Sequence, residues 1–248
     1  VHHQTFDIDK TSEYIGINIA QCFRPVKKHI FDFYGRKFAL IDPKNSWVCE
    51  KGSQSTSIES YLYSEARQSG VRFIFTENMD LDKIKKKISN KSRCIVSTGL
   101  ERRMYEELGI KHEIVQGYRA RVNKSDENVV YSYFGDYTNH DFAYVASFEQ
   151  LRFSLLFARK GISDKDLDVF KRHLMNHEGI EFNNWEYSTG CIPTETNLNK
   201  KDAILSGTIS GMIDPFYLNG ISGALISGRI AALYFLDAQA AAQAFNLY

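Results

Sequence analysis

Residues 205–232 read LSGTISGMIDPFYLNGISGALISGRIAA. A short apolar run, Ala203–Ser206, ends as a strand. Gly207 and Gly211 then let the backbone turn and approach another group without a Cβ in the way. Asp214-Pro215 imposes an extended or turn conformation before the proline, and Asn219-Gly220 is a second turn signal. A helix is predicted to start near Ile221 or Ser222. Its first amides have no partner within the helix and attract anions or electron-rich oxygens. Gly223, Ala224, Ser227, Gly228, Ala231 and Ala232 recur at helical spacing, so another element can pack very close. Two readings fit: a cradle for a bound cofactor, or a helix packed tightly on a sheet with its glycines serving turns alone.

Outward from this stretch the chain reads as mixed α and β. The run FDFYGRKFAL places Phe31 and Phe33 before a Tyr34-Gly35 turn, with Phe38 and Leu40 after it, which predicts a β-hairpin. Residues 55–69 read as a helix, opened by a Thr56-x-x-Glu59 capping box and striped by Ile58, Tyr61, Leu62 and Ala66. Gly70 stops it, and Val71 to Phe75 reads as a strand. Residues 80–92 form a short polar helix whose lysine run reads as a solvated face. Cys94 to Ser97 is a short strand leading to Thr98-Gly99, and residues 101–108 form a helix ending at Gly109. His112–Val122, Val129–Phe134, Asp141–Phe148 and Phe153–Phe157 read as consecutive antiparallel strands. Residues 164–177 form a helix with Leu167, Phe170 and Leu174 inward. Tyr187–Ile192 is a strand, and the small-residue tail 238–244 is a helix.

Composition sets the limits. The 248 residues carry 43% hydrophobic and 25% charged side chains, enough for one large domain or two small ones with a real core. The 17 Phe and 14 Tyr favour sheet surfaces and apolar pockets. A net charge of +1 gives no global field for nucleic acid. Cys22, Cys49, Cys94 and Cys191 lie far apart with no Cys-x-x-Cys, which argues against a metal site and fits reduced cytoplasmic thiols. Residues 220–236 fall short of a membrane span, and Arg229 interrupts them.

Asp-Pro-Phe, then Asn-Gly-Ile, then the run Ala224-Leu225-x-Ser227-Gly228-Arg229-x-Ala231-Ala232 resembles the second flavin-contacting segment of the geranylgeranyl reductase-like flavoproteins. These belong to the wider group with the p-hydroxybenzoate hydroxylase fold. Ile95-Val96-Ser97-Thr98-Gly99, the helix 57–69 with Gly70-Val71, Gly117–Ala120, Phe142–Val145 and Gly190-Cys191-Ile192-Pro193 resemble further family segments in the family's order. The resemblance implies an α+β flavoprotein fold: a nucleotide-binding part from residues 1–20, 46–111 and 196–248, and an antiparallel substrate part from 21–45 and 112–195. It implies an FAD-dependent oxidoreductase acting on a hydrophobic substrate such as an isoprenoid lipid, with electrons from a reductase, a ferredoxin or a nicotinamide. Cofactor contacts fall on Thr98, Gly99, Gly207, Thr208, Gly211, Asp214, Pro215, Asn219, Gly220, Ile221 and Ser222. Phe142 and Tyr144 fall on the substrate pocket. Peripheral membrane contact stays open.

The chain departs from the family in places. No Gly-x-Gly-x-x-Gly occurs in it, although the family holds the pyrophosphate with one, so the chain is expected to lack the first βαβ unit. Thr208 stands where the family carries an Asp, and Ser55 where it carries an Arg. Ala146-Ser147 replaces Phe-Pro, and the family's further C-terminal helices are expected to be missing. Each lost charged contact would weaken binding by roughly 1.5–3 kcal/mol. The alternative is therefore a degenerate flavoprotein-fold module that binds no FAD and serves as a binding or interaction subunit. Among other candidates, His2-His3 reads as incidental, His173 and His177 as a surface pair, Asp136 and Asp141 as loop residues, and Trp185 and Tyr187 as packing.

Overall fold

A computed structural model describes residues 1–75, 77, 80–89, 94–123 and 128–247. In chain order its regular elements are β1 (His2–Thr5), α1 (Ile8–Ile15), β2 (Phe23–Pro25), β3 (Lys28–Phe33), β4 (Arg36–Ile41), β5 (Ser46–Cys49) and α2 (Ile58–Gln68). Then come α3 (Leu81–Ser89), β6 (Ile95–Val96), α4 (Arg102–Leu108), β7 (His112–Asn123), β8 (Val129–Phe134), β9 (Phe142–Phe148) and β10 (Leu151–Ala158). The last are α5 (Asp164–Glu178), β11 (Trp185–Pro193), β12 (Asn199–Lys200), β13 (Ala203–Leu205), α6 (Ile221–Tyr234) and α7 (Ala238–Phe245). The expected α+β class is what the chain adopts.

The chain divides into two compact units. The first comprises Val1–Ile8, Asn18–Val71 and Val115–Thr189; the second comprises Asp9–Ile17, Arg72–Ile114 and Gly190–Tyr248.

The first unit is organised by a seven-stranded sheet, in the order β11-β7-β10-β9-β8-β3-β4. The hairpin β3–β4 forms as its sequence predicts. Tyr34 (φ 51°) and Gly35 (φ 81°) are both left-handed, and Phe33 pairs with Arg36, the two-residue turn whose twist suits the strands it joins. The expected run of consecutive antiparallel pairings is corrected in two places. β7 pairs with β10, not with β8, and β3 pairs with β8 in parallel. Only β8, β9 and β10 follow one another as neighbours.

Side chains alternate across a strand, so one face of this sheet takes Tyr118, Ala120, Tyr133, Ala143, Val145 and Leu156. Against them pack Leu167, Phe170 and Leu174 of α5, together with Ile180 and Phe182. Ser163 caps α5 reciprocally with Asp166, and Gly179 (φ 63°) closes it, which satisfies the orphan groups at both ends.

Three local expectations change. The cap of α2 is Ser57, which accepts from the Ser60 amide at 3.1 Å; Thr56 instead bonds the Glu50 carboxylate. Residues 71–75 form no strand, and they are exposed. Alternation and composition alone do not make a strand. Of the polar helix expected at 80–92, Leu81–Ser89 is helical, and 90–92 lie outside the described residues.

In the second unit β6 and β13 run parallel, Ile204 beside Ile95 and Leu205 beside Val96, and β12 is antiparallel to β13. Val96, Leu205 and Ile209 pack there with Met104, Tyr105 and Leu108 of α4. Met212 packs with Ile230 of α6 and Ala241 of α7. No helix among the described residues is long and apolar enough to cross a membrane.

Candidate functional site

The second unit brings together most of the residues singled out from sequence. β6 and β13 are parallel neighbours and end side by side, and the Ser206 amide donates to the Val96 carbonyl at 3.0 Å just past that end. The crevice beyond the carboxyl ends of parallel strands is where α/β sheets hold ligands. Beyond β6 the chain enters Ser97-Thr98-Gly99, with Gly99 left-handed (φ 65°) and its carbonyl accepting from the Tyr105 hydroxyl at 2.9 Å. Beyond β13 it makes a single 3-10 turn, Gly207–Ser210, closed by left-handed Gly211.

That turn is pinned from within. Ser227 of α6 is fully buried; its Oγ accepts from the Gly207 amide at 2.7 Å and donates to the Ala224 carbonyl at 3.3 Å. The Ser210 hydroxyl donates to the Gly207 carbonyl at 2.7 Å. In the sequence Ser227 belongs to the small-residue face and to the flavin-like run 224–232; its hydroxyl is what ties the helix to the turn.

The Asp214–Asn219 loop is organised by Asp214 itself. Its Oδ1 accepts from the amides of Phe216 (3.1 Å) and Tyr217 (2.6 Å), and its own amide donates to the Asn219 carbonyl at 3.0 Å. Asp214 and Pro215 are exposed, and this carboxylate oxygen serves the loop. Leu218 sits at φ 54°, a conformation that costs a non-glycine residue about 1–2 kcal/mol. The strain falls immediately before Asn219-Gly220. Strained backbone of this kind concentrates at ligand sites, and no propensity in the sequence announces it.

α6 opens at Gly220 with no side-chain cap. Its first-turn amides, from Ile221, Ser222 and Gly223, therefore lack the usual capping oxygen. Thr208 faces this opening, since a Cβ on Gly220 would lie 3.1 Å from the Thr208 Oγ1. The Thr98 Oγ1 is buried with no hydrogen-bond partner among the described residues, a costly state unless a further group completes it.

The glycines divide by role. A Cβ on Gly211 would lie 2.5 Å from the Glu195 carbonyl oxygen, and one on Gly223 would lie 1.9 Å from that of Met212. Both are demanded by the protein's own backbone. Gly99 has open space where its Cβ would be, and Gly207 meets only the Ser97 hydroxyl at 3.3 Å and Ala224 at 3.9 Å. Their requirement is the left-handed φ.

In the first unit, Phe142 and Tyr144 point away from α5 and are buried. They belong to a run of rings: Phe134 to Phe142 (5.6 Å), Phe142 to Tyr144 (5.7 Å), Tyr144 to Phe153 (5.8 Å) and Phe153 to His2 (5.3 Å). The incidental reading of His2-His3 is corrected here. Both lie in β1; His2 Nδ1 is 3.1 Å from the Tyr144 hydroxyl, and buried His3 places Nε2 2.8 Å from the Ser46 hydroxyl. His29 on β3 places Nε2 2.9 Å from the Ser132 hydroxyl, and its ring meets that of His3 edge-on at 4.7 Å. Burial lowers His3 to about 3, helped by the facing His29, and burial lowers His29 to about 4. His2 is pushed well below its ordinary value by burial first, then by nearby positive charge.

The surface pair His173 and His177 is also corrected. His177 is exposed, but His173 is buried, stacked on Tyr137 at 3.7 Å, with Nε2 3.3 Å from Oδ2 of buried Asp32. Tyr137 donates to Asp32 Oδ1 at 2.6 Å, as does the Gly35 amide at 2.8 Å. The acid that buried His173 faces is Asp32 on β3, far away in sequence.

No family model matches the chain, and no curated protein matches it in sequence. Solved structures do match its fold. One is a geranylgeranyl bacteriochlorophyll reductase-like protein from Thermoplasma acidophilum, at TM-score 0.69 and 16% identity, covering 99% of this chain and 71% of that one. Another is a flavin-dependent brominase, at TM-score 0.61 and 11% identity, covering 98% and 70%. A third is a p-nitrophenol 4-monooxygenase from Pseudomonas putida, at TM-score 0.61 and 9% identity, covering 96% and 70%.

Proposed function

From the flavoprotein-type fold as premise, we propose that the second unit binds FAD and that the chain serves an oxidoreductase acting on a hydrophobic, isoprenoid-like substrate. The observation that carries this reading is the meeting of two parallel strand ends with an uncapped helix start at Gly220. The buried, unpartnered Thr98 hydroxyl beside the β6 end fits a hydroxyl-rich or phosphate-bearing ligand.

When bound, FAD supplies hydride transfer; the residues supply binding and field. The amides of Ile221 and Ser222 would face electron-rich oxygens, and the dipole of α6 favours negative charge there. Thr208 offers a neutral hydrogen bond where a carboxylate is absent. Gly99 and Gly207 leave room for close approach. Asp214, Pro215 and Asn219 act by shaping the loop, and Gly211 by allowing its turn. Support for an apolar substrate comes from the rings of Phe142 and Tyr144 on the first unit's sheet.

Titration of the purified protein with FAD, followed by flavin fluorescence and thermal melting, tests this. Saturable binding with a raised melting temperature is expected, since ligand at about a hundred times Kd stabilises by roughly 2.7 kcal/mol. A colourless protein whose cooperative melt FAD leaves unmoved would establish the second reading, an interaction module without cofactor. What favours that reading is that Gly211 and Gly223 are already required by Glu195 and Met212.

A further inference from the structure

Between Ser206 and Tyr217 the backbone amides that would cradle a phosphate are already engaged within the chain. Ser206 donates to the Val96 carbonyl at 3.0 Å, Gly207 to the Ser227 hydroxyl at 2.7 Å and Gly211 to the Thr208 carbonyl at 2.9 Å. Ile213 donates to the Gly211 carbonyl at 2.9 Å, and Asp214 to that of Asn219 at 3.0 Å. Phe216 and Tyr217 both donate to Asp214 Oδ1, and Pro215 carries no amide hydrogen. An anion nest is built from successive open amides, and none is open at these positions.

Positive charge is scarce as well. Among the candidate contacts at 98–99, 207–208, 211, 214–215 and 219–222 there is no lysine, arginine or histidine. Arg102 and Arg103, which follow the β6 end most closely, are held along α4 by Glu106 at 2.7 Å and Glu107 at 2.5 Å. The full charge that is present has the opposite sign: it is the exposed Asp214 carboxylate, in the loop that leads into α6. The start of α6 supplies only about half a unit of positive charge, whereas each phosphate of a diphosphate bridge brings a full negative one.

The donors that remain are neutral. They are the Thr98 Oγ1, buried with no hydrogen-bond partner among the described residues, the Thr208 hydroxyl facing Gly220, and the uncapped amides of Ile221 and Ser222. Hydroxyls both donate and accept, which suits a polyol, and open helix amides suit ring carbonyls.

We propose that this chain recognises a flavin through its ring and ribityl chain alone, so that riboflavin, FMN and FAD bind alike and the adenylate half contributes no affinity. This rests on the cofactor reading above and narrows the ligand to its uncharged part. A phosphate at the start of α6 is the competing occupant, since helix starts do hold such anions; the Asp214 carboxylate in the adjoining loop disfavours it.

Separate titrations of riboflavin, FMN and FAD into the full chain, read by flavin fluorescence and thermal melting, decide the matter. The three dissociation constants should agree within about threefold. They should stay level from about 0.05 to 0.5 M salt, because no ion pair forms for salt to screen. Millimolar ADP or inorganic phosphate should displace none of the three. Thr98→Val should weaken all three by one common factor, about tenfold, because its hydroxyl would meet the part they share. FAD binding about thirtyfold or more tighter than riboflavin, affinity that falls steeply with salt, or displacement by ADP or phosphate would each overturn the inference and leave the cofactor reading standing. Failure of every flavin to bind, in protein that melts cooperatively, would overturn both.

Discussion

The two buried histidines His3 and His29 make stability strongly dependent on acid. Both are nearly inaccessible, at 5% and 4% exposed, and each has a serine hydroxyl against its Nε2. Folding holds them neutral, at about 3 and about 4 against an ordinary 6.5. The unfolded chain therefore takes up these protons first as pH falls. The stabilisation is fully present above about pH 6.5 and is lost progressively below it, toward about pH 4. Each group contributes about 1.4 kcal/mol per pH unit across that window, so the pair contributes about 2.7. Between about pH 6.5 and pH 5 the loss is about 3 kcal/mol, a large part of the 5–15 kcal/mol that holds a typical domain. Urea unfolding followed by tryptophan fluorescence, repeated at about pH 7, 6 and 5, measures it. A His3→Gln/His29→Gln double variant should lose the part of the slope that these two supply, about 2.7 kcal/mol per pH unit, and keep the part from His2 and His173, whose values burial also lowers. Wild-type stability that stays level from pH 7 to 5, or an equally steep double variant, would refute this account of the cluster.

Three further perturbations address the second unit. Thr98→Val should leave unliganded stability unchanged or raise it by about 1 kcal/mol, because the hydroxyl is buried without a partner; FAD affinity should fall by about tenfold in the same variant, read by fluorescence titration. Gly223→Ala, ordinarily a stabilising change within a helix, should cost about 1–3 kcal/mol or more because the new methyl meets the Met212 carbonyl at 1.9 Å; a raised melting temperature would contradict that packing. Leu218→Gly should release left-handed strain at φ 54° and stabilise the fold by up to about 1 kcal/mol in chemical denaturation, and a clear loss would mean that the leucine side chain, not the backbone, holds the loop.

Signals confined to neighbouring residues were legible in the sequence. The Tyr34-Gly35 hairpin, the Ser163-to-Gly179 helix with its inward Leu167, Phe170 and Leu174, and the helix beginning at Ile221 all follow from turn chemistry, capping and period. What depended on distant partners was not legible. Nothing local says that β3 lies parallel to β8, or that β7 joins β10 rather than β8. The run 71–75 has a strand's composition but joins none of the sheets formed by the described residues. The same limit hid the roles of His2, His3, His29 and His173, whose partners Tyr144, Ser46, Ser132 and Asp32 lie 43 to 142 residues away. At the cradle, the glycines and the Asp-Pro and Asn-Gly turns were visible. The division between glycines serving the fold and glycines left open was not, because it depends on where Glu195 and Met212 come to rest.

The alternation of the two units along the chain governs how the protein must fold. The first unit needs residues 1–8 beside 115–189, since β1 joins β5 while Tyr144 and Phe153 meet His2. The second needs 9–17 and 72–114 before 190–248 can complete it. Neither is a contiguous stretch that a ribosome could release finished. β3 waits for β8 about a hundred residues later, a closure whose entropy must be lost before its contacts form. Until then the apolar hairpin stands with both edges open, so slow assembly and early exposure coincide in one segment. Expression yield should therefore depend on temperature and chaperone supply more steeply than the stability of the finished fold alone would suggest.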